Sequence, residues 1–280
     1  MNKFILLVLI AIFSVSGRSF SQGRLYTLSE LQKTKLYKSI DDALKSPASV
    51  YRINLSNKEL SALPPEFYTL TNLQSVNISN NPITDISYNI KELKNLQFLN
   101  LEGTAITNLP DELFNLKNLV SLNLNNMSSL NASAALGKIV SLVKLKELSM
   151  NSVYLMSVPP QIKKLKNLAI LKLSKCGIAE ISGSIGELEN LLYLDLTFND
   201  ISKLPEEIGN LKRLEELHLG GNQITRLPDE IKDLSETLLL LSLAQIDNTT
   251  GEYVNNPISK EEVEKLQYWL PETKIVYIWN

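Results

Sequence analysis

Apolar residues recur along this chain at a fixed interval, as leucine or a similar residue at offsets 0, 3 and 5 of a short segment. The clearest copies begin at Leu96, Leu168, Leu191 and Leu214, and each reads Leu-x-x-Leu-x-Leu. Self-similarity at a fixed period of this size indicates a solenoid, in which each unit buries its apolar side chains against its neighbours. Nine units are predicted, with starts at Val50, Leu73, Leu96, Leu119, Leu145, Leu168, Leu191, Leu214 and Leu238.

Each unit is predicted to contain one short strand and a return segment. Residues 193–196 (Tyr-Leu-Asp-Leu) alternate polar and apolar positions, which is the period-two pattern of a strand with one buried face. The chain then turns near Asn199, and Pro205 follows, which cannot donate to a sheet and fits the first turn of a helix. The returns are therefore expected to be short helical or extended segments.

The units resemble the leucine-rich repeat family, in the short bacterial form L-x-x-L-x-L-x-x-N-x-I-x-x-L-P-x-x-I. Residues 201–213 and 224–234 match that pattern closely, and the resemblance covers residues 50–245. It implies an α/β solenoid, the leucine-rich repeat horseshoe, with a parallel sheet on the concave side and short helical segments on the convex side. It also implies a recognition scaffold.

The chain departs from the family at the corner position, where an asparagine bonds backbone groups of adjacent coils. Asparagine stands there only at Asn81, Asn199 and Asn222. Because Met, Val and Ile side chains offer no comparable hydrogen bond, a less regular ladder is expected in the middle of the array. The fourth unit, residues 119–144, is longer, and its segment 131–139 is either a fuller helix or a tolerated surface insertion. The replacements at the corner are Lys58, Thr104, Met127, Val153, Cys176 and Ile246.

The two ends differ from the array. Residues 1–21 carry Lys3 and an apolar run at 4–13, typical of a signal peptide and too short for a membrane span. Residues 22–49 are predicted to be a helical cap, with Ser39 as the N-cap of a short helix. Residues 246–280 are predicted to be a cap made of an amphipathic helix from about Ser259 and a final strand.

These ends predict a secreted, periplasmic or cell-surface protein with no membrane span after signal cleavage. The only cysteine, Cys176, lies far from the cleavage region, so a lipid anchor is not indicated. The net charge is −2 before cleavage, and this slight acidity gives no electrostatic footprint for nucleic acid.

Candidate chemistry is sparse. His218 is the only histidine, so a Ser-His-Asp site would need it, and it is expected beside Asp195 on the outward face, where the two could form a hydrogen bond. No serine in a sharp turn or glycine pattern accompanies it, and no zinc or calcium ligand cluster is evident. The sequence therefore predicts no enzyme, no catalytic residue, no metal and no cofactor.

The outward strand positions, at offsets 2, 4 and 6 of each unit, carry the functional prediction. In the N-terminal half, asparagines repeat at offset 4 (Asn54, Asn77, Asn100 and Asn123), and their amides are expected to bond one another. The C-terminal half mixes aromatic and charged residues, the composition of a binding hot spot. The predicted ligand-binding residues are Phe98, Ile170, Lys172, Tyr193, Asp195, Phe198, Glu216 and His218.

Two functions follow from this face. The first is a protein partner bound by the concave side of the repeats. The alternative is an extracellular or periplasmic glycan-binding protein that uses Phe98, Tyr193 and Phe198 as stacking platforms. Phe98 lies four coils from Tyr193, roughly 19 Å at the spacing of parallel strands, so those two rings cannot share one sugar.

Overall fold

The structure, a computed structural model, describes residues 24–247 and 249–278, so the predicted signal peptide lies outside the described residues. Most of the described strands are three residues long and recur once per unit, as the hydrophobic pattern predicts. The strands are β1 Leu36–Tyr37, β2 Arg52–Asn54, β3 Ser75–Asn77, β4 Phe98–Asn100, β5 Ser121–Asn123, β6 Glu147–Ser149, β7 Ser157–Val158, β8 Ile170–Lys172, β9 Glu180–Ile181, β10 Tyr193–Asp195, β11 Glu216–His218, β12 Leu240–Ser242, β13 Ala244–Ile246, β14 Tyr253–Asn255 and β15 Lys274–Val276.

Short helices fill most of the returns. The α-helices are α1 Leu28–Gln32, α2 Ile40–Leu44, α3 Ala132–Ile139 and α4 Lys260–Trp269. The 3-10 helices are Pro47–Ser49, Pro65–Thr69, Tyr88–Glu92, Asp111–Asn115, Pro160–Lys164, Gly183–Glu187, Glu206–Asn210 and Asp229–Leu234.

One parallel sheet runs the length of the described chain. Its eleven strands lie in the order β1-β2-β3-β4-β5-β6-β8-β10-β11-β12-β15. The register follows the repeat, since Leu194 lies opposite Leu171 on one side and Leu217 on the other. Parallel neighbours need a crossover, and the rest of each unit supplies it. The sheet confirms the predicted leucine-rich repeat solenoid, and we call its outward side the concave face.

The core is a single stack of inward side chains. Leu194 and Leu217 are completely buried, while the residues on either side of each are less deeply buried or face outward. The buried cluster is continuous from Tyr37 to Leu270. No single coil has a second apolar layer, so stability comes from contact between adjacent coils.

Glycine lets the convex returns approach closely. In the 3-10 helix Glu206–Asn210, a Cβ on Gly209 would lie 2.5 Å from the carbonyl oxygen of Glu230 in the next coil. On Gly186 it would lie 2.2 Å from the carbonyl oxygen of Glu207. Any larger residue at these positions would push two coils apart.

The fourth unit contains a helix, which is one of the two alternatives that the sequence left open for residues 131–139. Helix α3 begins after Asn131, whose Oδ1 accepts a hydrogen bond from the backbone N–H of Ala134. Its Leu136 and Ile139 are buried in the common core. The longer unit therefore contributes to the core and is more than a surface insertion.

Corner asparagines join adjacent coils as the resemblance implies. Asn199 Oδ1 accepts from the backbone N–H groups of Cys176 and Ile178, and its Nδ2 donates to the carbonyls of Leu173 and Leu196. All four of these backbone groups belong to its own coil or the preceding one.

The prediction that Ile246 occupies the ninth corner is wrong. Ile246 ends strand β13, which pairs with β14 as an antiparallel hairpin. This hairpin follows β12, the strand of the ninth unit. Asn256 takes the corner beyond that hairpin. It accepts from Ile224 N–H and donates to the carbonyls of Leu219 and Leu243.

The middle of the array lacks this corner ladder, as expected, because Met127 and Val153 fill the position as fully buried apolar side chains. Asparagines two residues earlier partly replace it. Asn125 Oδ1 accepts from the N–H of Asn151, and Asn151 Oδ1 accepts from the N–H of Ser174. The strands on either side remain in register.

Both ends carry the predicted elements, although their role as caps stays a prediction. Ser39 accepts from Asp42 N–H at the start of α2. At the other end α4 begins after Ser259 and buries Val263 and Leu266. Strands β1 and β15, outside residues 50–245, extend the sheet. In the part of the chain that the structure describes, no helix has the length and hydropathy needed to cross a membrane.

Candidate functional site

Five side chains form a connected row on the C-terminal half of the concave face, which we call the concave cluster. Lys172 Nζ lies 3.4 Å from Glu147 Oε1 and 5.9 Å from the ring centroid of Tyr193. The Tyr193 and His218 rings lie 4.9 Å apart, and His218 Nε2 lies 2.8 Å from Glu216 Oε2. Charge and aromatic contacts therefore continue across β6, β8, β10 and β11.

Strand register creates this row. Glu147, Tyr193 and Glu216 share one column of the sheet, and Lys172 and His218 lie in the next column. Side chains of adjacent columns on neighbouring parallel strands are close enough to meet diagonally. The repeat thus brings together residues that lie up to 71 positions apart in the sequence.

The cluster is shielded from water although it lies on a face of the sheet. The side chain of Lys172 is 21% exposed, that of His218 is 16% exposed and that of Glu216 is 7% exposed. Burial, and then the carboxylates of Asp195 and Glu216, raise the pKa of the Tyr193 phenol well above its usual range. At neutral pH Tyr193 is therefore an uncharged hydroxyl on an aromatic platform.

Two of the predicted contact residues are not on the accessible surface. Ile170 is 1% exposed, because Glu147 and Tyr193 flank it in the sheet and Lys172 reaches across it to Glu147. Glu216 is buried and is engaged by His218. Their role as direct contacts stays a prediction, while in the structure Ile170 lies beneath the cluster and Glu216 contacts the imidazole.

The sequence allowed a hydrogen bond between His218 and Asp195, but His218 bonds to Glu216 instead. Asp195 Oδ1 accepts from the N–H and from the hydroxyl of Thr197, two residues later on its own chain. That turn fixes the Asp195 carboxylate, whereas the longer Glu216 side chain reaches His218 along the same face of β11.

Phe198 lies at the rim of the concave face in a strained conformation. Its φ is +54°, in the left-handed region, and Lys175 one coil earlier has φ +58°. Lys175 Nζ lies 4.9 Å from the centroid of the Phe198 ring, which packs on Gly221, where a Cβ would lie 2.7 Å from a ring carbon. We call Lys175 and Phe198 the rim pair.

The same turn position is left-handed in eight units, and most of them fill it with residues that tolerate this backbone. Asparagine and glycine adopt the left-handed region at low cost, whereas other residues pay roughly 1–2 kcal/mol. The sequence interpretation missed Lys175, which the column at offset 7 would have revealed. The eight residues are Asn57, Asn80, Gly103, Asn126, Ser152, Lys175, Phe198 and Gly221.

Phe98 is not part of the concave cluster. It is half-buried on β4, where its neighbours in the sheet are Ser75 and Ser121. Five strands of the sheet (β4, β5, β6, β8 and β10) lead from Phe98 to Tyr193. The predicted residues therefore fall into two separate surfaces.

The N-terminal half of the face also differs from its prediction. The side-chain oxygens of Asn54, Asn77, Asn100 and Asn123 each accept from the backbone N–H two residues later in the same chain, at 2.9–3.0 Å. The expected bonds between neighbouring amides are wrong, because this local turn engages each oxygen first.

The geometry gives little support for catalysis by a cysteine nucleophile. Cys176 is buried, donates to the carbonyl oxygen of Met150 at 3.1 Å, and has a pKa raised by burial to about 11. A thiol of that pKa is protonated and unreactive at neutral pH. Across residues 24–247 and 249–278, no group of three or more His, Cys, Asp or Glu side chains is arranged to hold a metal ion.

Comparison with known proteins agrees with the repeat architecture. The sequence model of the family described as leucine rich repeat matches residues 48–106 and 166–224. No curated protein sequence matches the chain.

Several solved structures are similar. The leucine-rich repeat domain of the type III effector XopL is 19% identical, with a TM-score of 0.62 over 84% of this chain and 79% of that chain. The Arabidopsis receptor kinase HAESA, in complex with the peptide hormone IDA and the co-receptor SERK1, is 28% identical, with a TM-score of 0.59 over 69% of this chain and 33% of that chain.

The functional domain of InlJ from Listeria monocytogenes is 17% identical, with a TM-score of 0.58 over 69% of this chain and 39% of that chain. This chain thus spans less than half of the InlJ and HAESA chains. Residues 48–106 and 166–224 match the leucine-rich repeat family, and the chain has the leucine-rich repeat solenoid fold.

Proposed function

We propose that this protein is a non-enzymatic recognition scaffold that binds a protein partner through the C-terminal half of its concave face. The observation that carries the proposal is the rim pair beside the concave cluster. Lys175 and Phe198 hold left-handed backbone where five of the other six units have asparagine or glycine and one has Ser152. Residues with strained backbone conformations concentrate at functional sites, where the strain is part of how the site works.

Preorganisation of the cluster favours binding. Lys172 is held between Glu147 and Tyr193, and His218 is held between Tyr193 and Glu216. Ordering a rotamer-rich side chain at an interface costs about 0.5–1.5 kcal/mol. These side chains are already ordered in the free protein, so binding a partner does not require that free energy again. Tyrosine rimmed by charged groups is also typical of interface hot spots.

The HAESA structure adds support at the level of the fold. It contains a receptor kinase in complex with a peptide hormone and a co-receptor. A fold similar to this one can therefore accompany recognition of a polypeptide. We extend this use to the present chain as part of the proposal, together with an envelope or extracellular location inferred from residues 1–21.

Crosslinking capture from cell-envelope and host-surface extracts tests the proposal. The bait is the mature protein, compared with the Tyr193→Ala/Phe198→Ala variant at equal melting temperature. The control is Tyr154→Ala/Tyr268→Ala, which removes two tyrosines with exposures of 69% and 84% that lie outside the cluster. We expect one protein to be captured by the wild type and by the control and lost with the concave variant. Equal capture by all three baits, or no captured protein, would contradict the proposal.

A further inference from the structure

Three asparagines in the N-terminal half of the concave face present identical donors, and we call Asn54, Asn77 and Asn100 the asparagine row. Each Oδ1 accepts a backbone N–H at 2.9 Å, and only an amide oxygen can do so. The atom that accepts the backbone N–H must be the oxygen, so the other end of each amide is the NH2 group. Among the described residues, none accepts a hydrogen bond from the Nδ2 of these three asparagines.

The asparagines are evenly spaced because β2, β3 and β4 pair in the same register. Asn77 lies opposite Asn54 on one side and Asn100 on the other. Parallel strands lie about 4.8 Å apart, so an NH2 group with two N–H donors recurs at about that interval across the strands. The turn that engages each oxygen also immobilises the side chain, which lowers the entropy lost on binding.

The charged side chains that flank the row are engaged by other groups of the protein. The guanidinium of Arg52 donates to the backbone carbonyls of Leu31, Gln32 and Thr34. The Glu102 carboxylate accepts from the side chains of Asn123 and Asn126 and so closes the row at its C-terminal end.

Within that boundary the face offers hydroxyl and amide groups. Ser75 and the half-buried Phe98 ring lie in the adjacent column, on the strands of Asn77 and Asn100. A ligand that fits needs acceptors at every step and no net charge.

We propose that the asparagine row binds a linear neutral oligosaccharide that lies across the strands. Every residue of such a chain carries several hydroxyl and ring oxygens, so each amide meets an acceptor. An extended peptide presents carbonyls on one side only every ~6.6 Å, which does not match donors ~4.8 Å apart. The site is separate from the concave cluster and goes beyond the proposed protein recognition.

The chain itself supplies the test variant. Asp195 occupies the same column as the row and makes the same turn, with its Oδ1 accepting from Thr197 N–H at 3.0 Å. The variant Asn77→Asp/Asn100→Asp should therefore keep its fold while losing four N–H donors and gaining two charges. The matched control is Asn115→Asp/Asn210→Asp, which adds the same charge at exposed convex positions.

Isothermal titration with cellohexaose, chitohexaose and maltohexaose measures binding, and two-dimensional NMR follows the side-chain NH2 signals of 15N-labelled protein. We expect at least one hexaose to bind, to shift the signals of the asparagine row, and to bind about tenfold or more weakly to Asn77→Asp/Asn100→Asp, since each lost hydrogen bond weakens binding severalfold. The convex control should bind like the wild type.

Binding unchanged in Asn77→Asp/Asn100→Asp, or no binding of any hexaose by the folded protein, would overturn this proposal. Tyr193→Ala/Phe198→Ala separates it from the proposed function, because that variant should lose the protein partner and keep the sugar. A sugar lost with Tyr193→Ala/Phe198→Ala and kept by the row variant would place the sugar on the concave cluster and refute the row.

Discussion

Replacing Asn199 with leucine tests how the coils are held together. The substitution keeps the approximate volume and removes every hydrogen bond of the corner amide. The N–H groups of Cys176 and Ile178 and the carbonyl of Leu173 would then lose this partner in the buried corner. At about 1–3 kcal/mol for each unsatisfied buried group, the free energy of unfolding should fall by about 3–9 kcal/mol.

We expect the lower half of that range, because the corner can relax. Even that loss is large against the roughly 5–15 kcal/mol by which domains are stable. Urea unfolding followed by circular dichroism gives the value, with Asn210→Leu, an exposed convex position, as the control. Asn199→Thr should lose less, because Thr104 at another corner donates its hydroxyl to the carbonyl of Leu101 at 2.8 Å. A loss under about 1 kcal/mol for Asn199→Leu would refute the view that corner amides tie the coils.

Three further predictions concern the core, the rim and the thiol. Leu217→Ala removes a completely buried side chain and should cost roughly 2–5 kcal/mol in chemical unfolding; an unchanged melting curve would contradict the register. Lys175→Asn relieves left-handed strain at an exposed position and should raise stability by about 0.5–1 kcal/mol while weakening the partner, whereas a lower melting temperature would argue against strain. The pKa of Cys176 is raised to about 11 in the fold from an ordinary value near 9, so its contribution to stability is complete below pH 9 and is lost as the pH rises towards 11. Cys176→Ala should lack that alkaline loss in unfolding titrations, and at pH 8 the wild-type thiol should react with a disulfide reagent only on unfolding.

The repeat could be predicted from sequence because it is a property of spacing. Leu171, Leu194 and Leu217 recur at one interval, and that interval alone aligns them in the sheet. Spacing failed at the ninth corner, where the hairpin from Ala244 to Asn255 displaces the asparagine from position 246 to Asn256. A hairpin inserted within one unit cannot be recognised from the spacing of the leucines alone.

The site was less predictable, because burial and hydrogen bonding depend on neighbours in adjacent strands. Ile170 occupies an outward position, yet the ion pair between Lys172 and Glu147 covers it. The choice of Glu216 over Asp195 as the partner of His218 depends on which carboxylate its own turn has already engaged. Sequence gives the column of a residue, and only the packed structure gives its contacts.

Site-specific photo-crosslinking tests the central claim, recognition through the concave cluster, most directly. A benzophenone amino acid is placed at Tyr193, in the cluster, and in a second protein at Tyr154, which is 69% exposed and lies between β6 and β7. Both proteins are irradiated with envelope and host-surface extracts and analysed by mass spectrometry. We expect a defined protein adduct through position 193 and none through position 154. An adduct through position 154 alone would show that recognition lies off the concave face.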